Sequence, residues 1–254
     1  MLGTRTEAQQ AIAAGLVTVD GAPALKPATQ VLPEQALVVT EPPRQYVSRG
    51  GEKLAHGLAV FGVDPAGRRC LDSGVSTGGF TDCLLQAGAS HVIGIDVGYG
   101  QVHERIRRDP RVDIRERTNI RDVLPGHLDL PLPDLIVCDV SFIALATVLP
   151  VLRALGTPDA EAVVLVKPQF EASRGDVGKG GVVRDPAVWE QVLVSVAAAV
   201  GDIGWVMLGT TASPLLGPAG NVEFLAHLGV AAEAGPVGQL VTAAVDEGRR
   251  MAGR

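Results

Sequence analysis

From about Gln45 onward, short apolar runs alternate with stretches of helical length. Cys70-Leu-Asp72, His91–Asp96, Val112–Arg115, Asp134–Asp139 and Ala162–Lys167 read as strands, several of them almost continuously apolar. Trp205–Leu208 and Val222–Leu228 supply two late strands. Between them, Gly79–Ala87 suits a helix closed by Gly88, and Ile143–Leu155 and Pro186–Val200 suit two more. Apolar strands alternating with helices predict an α/β fold, a doubly wound, mostly parallel Rossmann-like sheet of seven strands. The first 43 residues differ. Residues 8–15 form a helical pattern ending at Gly15, Leu16–Pro23 turns at Asp20-Gly21 as a hairpin would, and Val38–Thr40 is a short strand. The division expected is a small α+β unit over 1–43, a linker over 44–47 and a large domain over 48–254.

Composition narrows the class. Of 254 residues, 46% are apolar, enough for a sizeable core, and no run approaches the length of a membrane-spanning helix. The start, Met1-Leu-Gly-Thr-Arg-Thr-Glu-Ala, lacks a basic-then-apolar leader, and three cysteines without CxxC spacing argue against a disulfide framework or a zinc site. A cytoplasmic protein is expected, monomeric and without a metal. The net charge of −6 is uneven: seven lysines and arginines face six carboxylates in residues 1–70, against fifteen and twenty-two in the remainder. That leaves room for a local basic face at the N-terminal quarter.

The sharpest local signal is Asp72-Ser73-Gly74-Val75-Ser76-Thr77-Gly78-Gly79-Phe80, between the first strand and the first helix of the large domain. A doubly wound fold places its ligand at such a turn. Its glycines allow close approach of backbone to ligand, but their spacing is neither GxGxxG nor GxxxxGK[ST], which counts against a pyrophosphate clamp. Asp96 ends the next strand, where an acid accepts hydrogen bonds from ribose hydroxyls. Together they predict an adenosine-type cofactor without a phosphate clamp, S-adenosylmethionine. Asp139 and Lys167 close two apolar strands and should project over the same ligand edge, with Lys53 ahead of the sheet and Glu223 near the start of a late strand. A lysine deprived of water can serve as a base at physiological pH.

Five stretches carry a family resemblance: Ser48-Arg-Gly-Gly-Glu-Lys53-Leu, Asp72–Phe80, Cys138-Asp-Val-Ser-Phe-Ile143, Val166-Lys-Pro-Gln-Phe-Glu171 and Gly220-Asn-Val-Glu-Phe224. In this order they resemble the TlyA (hemolysin A-like) family of ribosomal RNA 2′-O-methyltransferases, whose catalytic domain is of the FtsJ type. The resemblance implies a Lys-Asp-Lys-Glu catalytic set at Lys53, Asp139, Lys167 and Glu223, with Lys167 as base. It also implies cofactor contacts from Asp72, Ser73, Gly74, Ser76, Thr77, Gly78, Gly79, Phe80, Asp96 and Asn119, and a ribose, that of a cytidine, in ribosomal RNA or an assembled subunit as the methyl acceptor. Thr4-Arg5, Val17-Thr-Val-Asp-Gly21 and Lys26-Pro-Ala-Thr29 resemble an S4 RNA-binding module. Such a module begins with a further helix that this chain starts too late to supply, so a truncated S4-like unit is expected. Arg5, Lys26 and Arg49 are the expected RNA contacts, joined by the seven arginines of Arg105–Arg121. The readings set against an enzyme are a membrane-active hemolysin and a non-catalytic S4-type RNA-binding protein.

Overall fold

A computed structural model describes residues 5–13, 15–40, 45–231 and 235–253. The chain divides into two units, Met1–Gln45 and Tyr46–Arg254. In the first, α1 (Arg5–Ala13) precedes a three-stranded antiparallel sheet, β1 (Val17–Val19) pairing with β2 (Ala22–Pro23) and with β3 (Leu37–Val39). The hairpin turns at Asp20 and Gly21, both at positive φ (50° and 82°), as the Asp-Gly pair predicted. Ala11, Val17 and Ala24 make up its small buried core.

The second unit begins with α2 (Arg49–Phe61), a helix the strand-centred reading missed. Gly62 ends it at φ 67°, a left-handed conformation that glycine adopts without penalty. There follow β4 (Arg69–Ser73), α3 (Gly79–Gln86), β5 (His91–Ile95), α4 (Glu104–Arg107), β6 (Val112–Arg115), β7 (Leu135–Cys138), α5 (Leu145–Leu155), β8 (Glu161–Val166), the short α6 (Pro168–Glu171), α7 (Pro186–Gly201), β9 (Val206–Ala212), β10 (Phe224–Gly229) and α8 (Val237–Ala252). The seven strands from β4 onward stand in the order β6-β5-β4-β7-β8-β10-β9. Alternate residues along each strand feed two cores. Leu71, Ile93, Ile136 and Val164 pack with α5, α7 and α8, whereas Cys70, Val92, Leu135 and Val163 pack with α2 and α3. Both faces are covered, which is why the strands are apolar throughout.

The sheet is mostly parallel, as expected, and one strand makes the exception. β10 runs antiparallel to both of its neighbours, β8 and β9. No helix stands between β9 and β10, only the connection 213–223, and a hairpin joins antiparallel strands. The reversal matters for chemistry. Phe224 pairs with Val166, so the start of β10 lies beside the end of β8 and puts Glu223 at the edge where the parallel strands finish.

Candidate active site

Strand order reverses at β4, with β5 on one side and β7 on the other, and there the loops part to form a cleft of about 510 Å³. Ser73, Gly74 and Ser76 line it after β4, Asp96 after β5, Asn119 beyond β6, and the turn 139–143 after β7. Gly74 is required here. It sits at φ 91°, and a Cβ would come within 2.6 Å of the Asp139 carbonyl oxygen, so any side chain would push the two loops apart. The Asp139 N–H donates to the Ser73 carbonyl and the Gly74 N–H to that of Ile95, which ties three strand ends together.

Asp96 directly follows β5 and lines the cleft. One of its carboxylate oxygens accepts the Ser76 N–H at 2.7 Å and the other the Gly98 N–H at 2.6 Å. Each oxygen retains a lone pair for a hydroxyl in the cleft. Asn119 Oδ1 accepts from the backbone N–H and Nε of Arg121, which leaves its amide nitrogen as a donor at the cleft wall. Asp72 lies behind this lining. It is fully buried and accepts a hydrogen bond from the Thr81 hydroxyl at 2.6 Å, while its Oδ1 has no partner among the described residues. Burial pushes its carboxyl up to about 7, with Asp139 and Asp96 adding like-charge repulsion. Thr77, Gly78, Gly79 and Phe80 carry the chain from the turn into α3, outside the cleft lining, and Phe80 is buried among core residues.

The four ionisable residues form two pairs on one edge. Lys167 follows β8 and its Nζ lies 2.6 Å from Asp139 Oδ1, an ion pair that is off-axis for a hydrogen bond, and donates to Ser141 Oγ at 2.8 Å. Lys53, one turn into α2, is buried and bonded at 2.5 Å to the buried Glu223. Gln169 Nε2 reaches the other Glu223 oxygen at 3.4 Å. Because Glu223 follows Lys167 across the β8–β10 register, the two pairs are neighbours, and Asp139 belongs both to the cleft wall and to the Lys167 pair. Ser141, Gln169 and Glu171, which accepts the first N–H of α5 from Leu145 at 2.9 Å, were not singled out from the sequence, although all three lie within quoted motifs. Short polar side chains in loops carry no periodic signal.

The arginine segment is largely paired within the protein. Arg105 pairs with Asp82, Arg107 with Glu116, Arg108 with Glu104, Arg111 with Asp109 and Arg115 with Asp113, while Arg117 lies over the Tyr99 ring at 4.0 Å. Most of its charge is therefore compensated within the protein. Exposed cations without a carboxylate partner among the described residues occur elsewhere: Arg49 one turn before Lys53, and Arg174, Lys179 and Arg184 in the connection that follows α6. Lys26 is exposed in the first unit. Arg5 opens α1, and its side chain lies outside the described residues.

The sheet order and its switch-point cleft define the class: a doubly wound methyltransferase. The chain matches the family description FtsJ-like methyltransferase over residues 46–230 and S4 domain over residues 1–37. It is 51% identical over 226 residues to the 16S/23S rRNA (cytidine-2′-O)-methyltransferase TlyA of Mycobacterium tuberculosis, covering 89% of this chain and 84% of that protein. Hemolysin A of Brachyspira hyodysenteriae is 40% identical, with 88% of this chain and 93% of that protein covered. A Streptococcus thermophilus protein solved under the name of a hemolysin superposes with a TM-score of 0.81 at 38% identity, covering 98% of this chain and 92% of that one. The chain belongs to the TlyA, or hemolysin A-like, family of FtsJ-like methyltransferases. Its cofactor is S-adenosylmethionine, and the residues present fit it: a glycine-opened turn, an acid with lone pairs to spare for ribose, and a cleft of nucleoside size. No helix among the described residues is long and apolar enough to cross a membrane.

Proposed function

We propose that this protein methylates a ribose 2′-hydroxyl in ribosomal RNA, the ribose of a cytidine, with Lys167 as the base. The observation that supports this reading best is the Lys167–Asp139 pair, which stands at the cleft wall beside the Lys53–Glu223 pair. Bound S-adenosylmethionine supplies an electrophilic methyl group on a sulfonium. A ribose hydroxyl is a poor nucleophile, so its proton has to be drawn off as the methyl arrives. Lys167, paired with the cleft residue Asp139 and one strand from Glu223, is our choice for the group that takes it. Asp139 holds Lys167 in place and adds negative charge where the cationic methyl donor binds. Lys53 and Glu223 fix each other and present a paired donor and acceptor for the ribose hydroxyl. Base catalysis contributes roughly 10²–10⁴-fold, and positioning of the two reactants supplies the rest. The identity of the acceptor rests on the relatives, one of which carries cytidine-2′-O in its name. Ribosomal subunits lacking the modification, incubated with the protein and labelled S-adenosylmethionine, should gain a methyl recovered as a 2′-O-methylcytidine. Label recovered on a base, or on no RNA, overturns the reading.

A further inference from the structure

The amine of Lys167 is held from two sides by one turn. Asp139 Oδ1 and Ser141 Oγ lie 2.6 Å and 2.8 Å from Nζ, and both residues belong to the segment that leaves β7. The nitrogen is bonded to Cε and has three other tetrahedral positions. In the neutral amine, two of these carry hydrogens and the third carries the lone pair. One acceptor alone leaves a hydrogen and the lone pair free to exchange by rotation about Cε–Nζ. With one hydrogen held by Ser141, the Asp139 carboxylate, 2.6 Å away though off-axis for a hydrogen bond, attracts the other hydrogen to its side and repels the lone pair, which turns toward the remaining position.

The turn that carries Ser141 is itself constrained. Phe142, the next residue, sits at φ 65°, a left-handed conformation uncommon for a bulky residue. Its ring packs on Phe170 at 5.0 Å between centroids, and the carboxylate of Glu171 holds the Leu145 N–H. The Glu171–Leu145 hydrogen bond thus ties the segment after β8 to the segment after β7, while the Phe142 ring, in contact with Phe170, stays largely exposed.

We propose that Ser141 is a positioning residue of the methyl transfer: its hydroxyl accepts one N–H of the neutral Lys167 amine and so directs the lone pair at the ribose hydroxyl. This rests on the reading of Lys167 as base. The proton leaves the ribose oxygen for Nζ, the electron pair left behind forms the new O–CH₃ bond, and the pair of the broken S–CH₃ bond stays on sulfur. In the resulting ammonium, Ser141 keeps the hydrogen it held and the Asp139 carboxylate faces the new positive charge.

Valine and threonine at position 141 separate the hydroxyl from the shape, since the two are nearly isosteric. Single-turnover methylation of ribosomal subunits at saturating S-adenosylmethionine should slow about 10-fold or more in Ser141→Val and stay within about threefold of wild type in Ser141→Thr, as expected for lost positioning of a base. Cofactor Kd by calorimetry and KM for the subunit should change by less than about twofold in both. A valine variant as fast as wild type overturns the proposal, as does a threonine variant as slow as valine, or a loss that excess cofactor restores. Digestion of the same products locates the methyl group. Transfer to ribose with valine and threonine behaving alike removes the role of Ser141 alone, whereas a wild-type protein that methylates no ribose, or a fully active Lys167→Met, overturns the underlying reading with it.

Discussion

Asp96 and Asp72 stand at the ends of adjacent strands and do different work because one faces the cleft and the other faces the core. Asp96 spends one lone pair of each oxygen on backbone N–H groups and leaves the others open at the cleft, where we propose they meet the ligand. Asp96→Ala should weaken S-adenosylmethionine binding by about 1–3 kcal/mol, the loss of a hydrogen bond to a charged group, and calorimetry that finds an unchanged Kd would contradict the placement. Asp72 titrates where carboxylates ordinarily do not. Its carboxyl is raised from 3.8 to about 7, so across that interval the folded state holds a proton the unfolded chain has shed. Its contribution to stability is therefore greatest below the unfolded value and declines as pH rises toward 7. Asparagine cannot titrate, so the Tm of wild type relative to Asp72→Asn should fall steadily between about pH 4 and 7. A difference that stays flat with pH would show Asp72 to be ionised in the fold.

At the scale of elements, the site depends on a strand that runs against the others. β10 enters the sheet beside β8 in the opposite sense, and this alone brings Glu223 to the edge where Lys167 ends its strand. Lys53 arrives from α2, so the buried pair at 2.5 Å joins a helix to the sheet. Removing one partner strands a buried charge. Glu223→Ala should cost about 3–5 kcal/mol of stability in denaturant unfolding, and the double change Lys53→Met/Glu223→Leu should recover much of that while leaving the protein inactive. A loss below 1 kcal/mol in the single variant would mean the pair is solvated. The strands and the edge residues Asp139 and Lys167 were legible because strand ends are marked by abrupt changes from apolar to ionisable residues. The direction of β10 was not legible, since hydropathy is the same read either way along a strand. Nor was α2, whose Gly50, Gly51 and Gly57 disguise a helix: there glycine is chosen for close packing, a Cβ at Gly51 falling 2.3 Å from the Tyr46 ring. The pairing of the arginine run was hidden for a related reason, because sequence displays charges without their partners.

For the whole molecule, the uncompensated cations are the groups we propose to hold RNA. Arg49, Arg174, Lys179 and Arg184 flank the segments that carry Lys53 and Lys167, while the first unit matches an S4 domain and exposes Lys26. With so few free charges, binding to naked RNA should be weak, and log K should fall against log salt with a slope of about −0.7 for each phosphate contacted, so a filter-binding series indifferent to salt would rule out an electrostatic grip. Charge neutralisation at Arg174 and Lys179 should reduce that slope, whereas substitution at Arg111, already paired with Asp109, should leave it unchanged. In the function proposed above, Lys167 does the chemistry while the cleft after β4 and β5 holds the cofactor. This division of roles is tested most directly by Lys167→Ala, assayed on unmodified ribosomal subunits with cofactor affinity measured on the same preparation. Ribose methylation should fall below detection with S-adenosylmethionine Kd within about threefold of wild type, consistent with the roughly 10²–10⁴-fold due to a base together with lost positioning. Turnover at the wild-type rate would contradict the account.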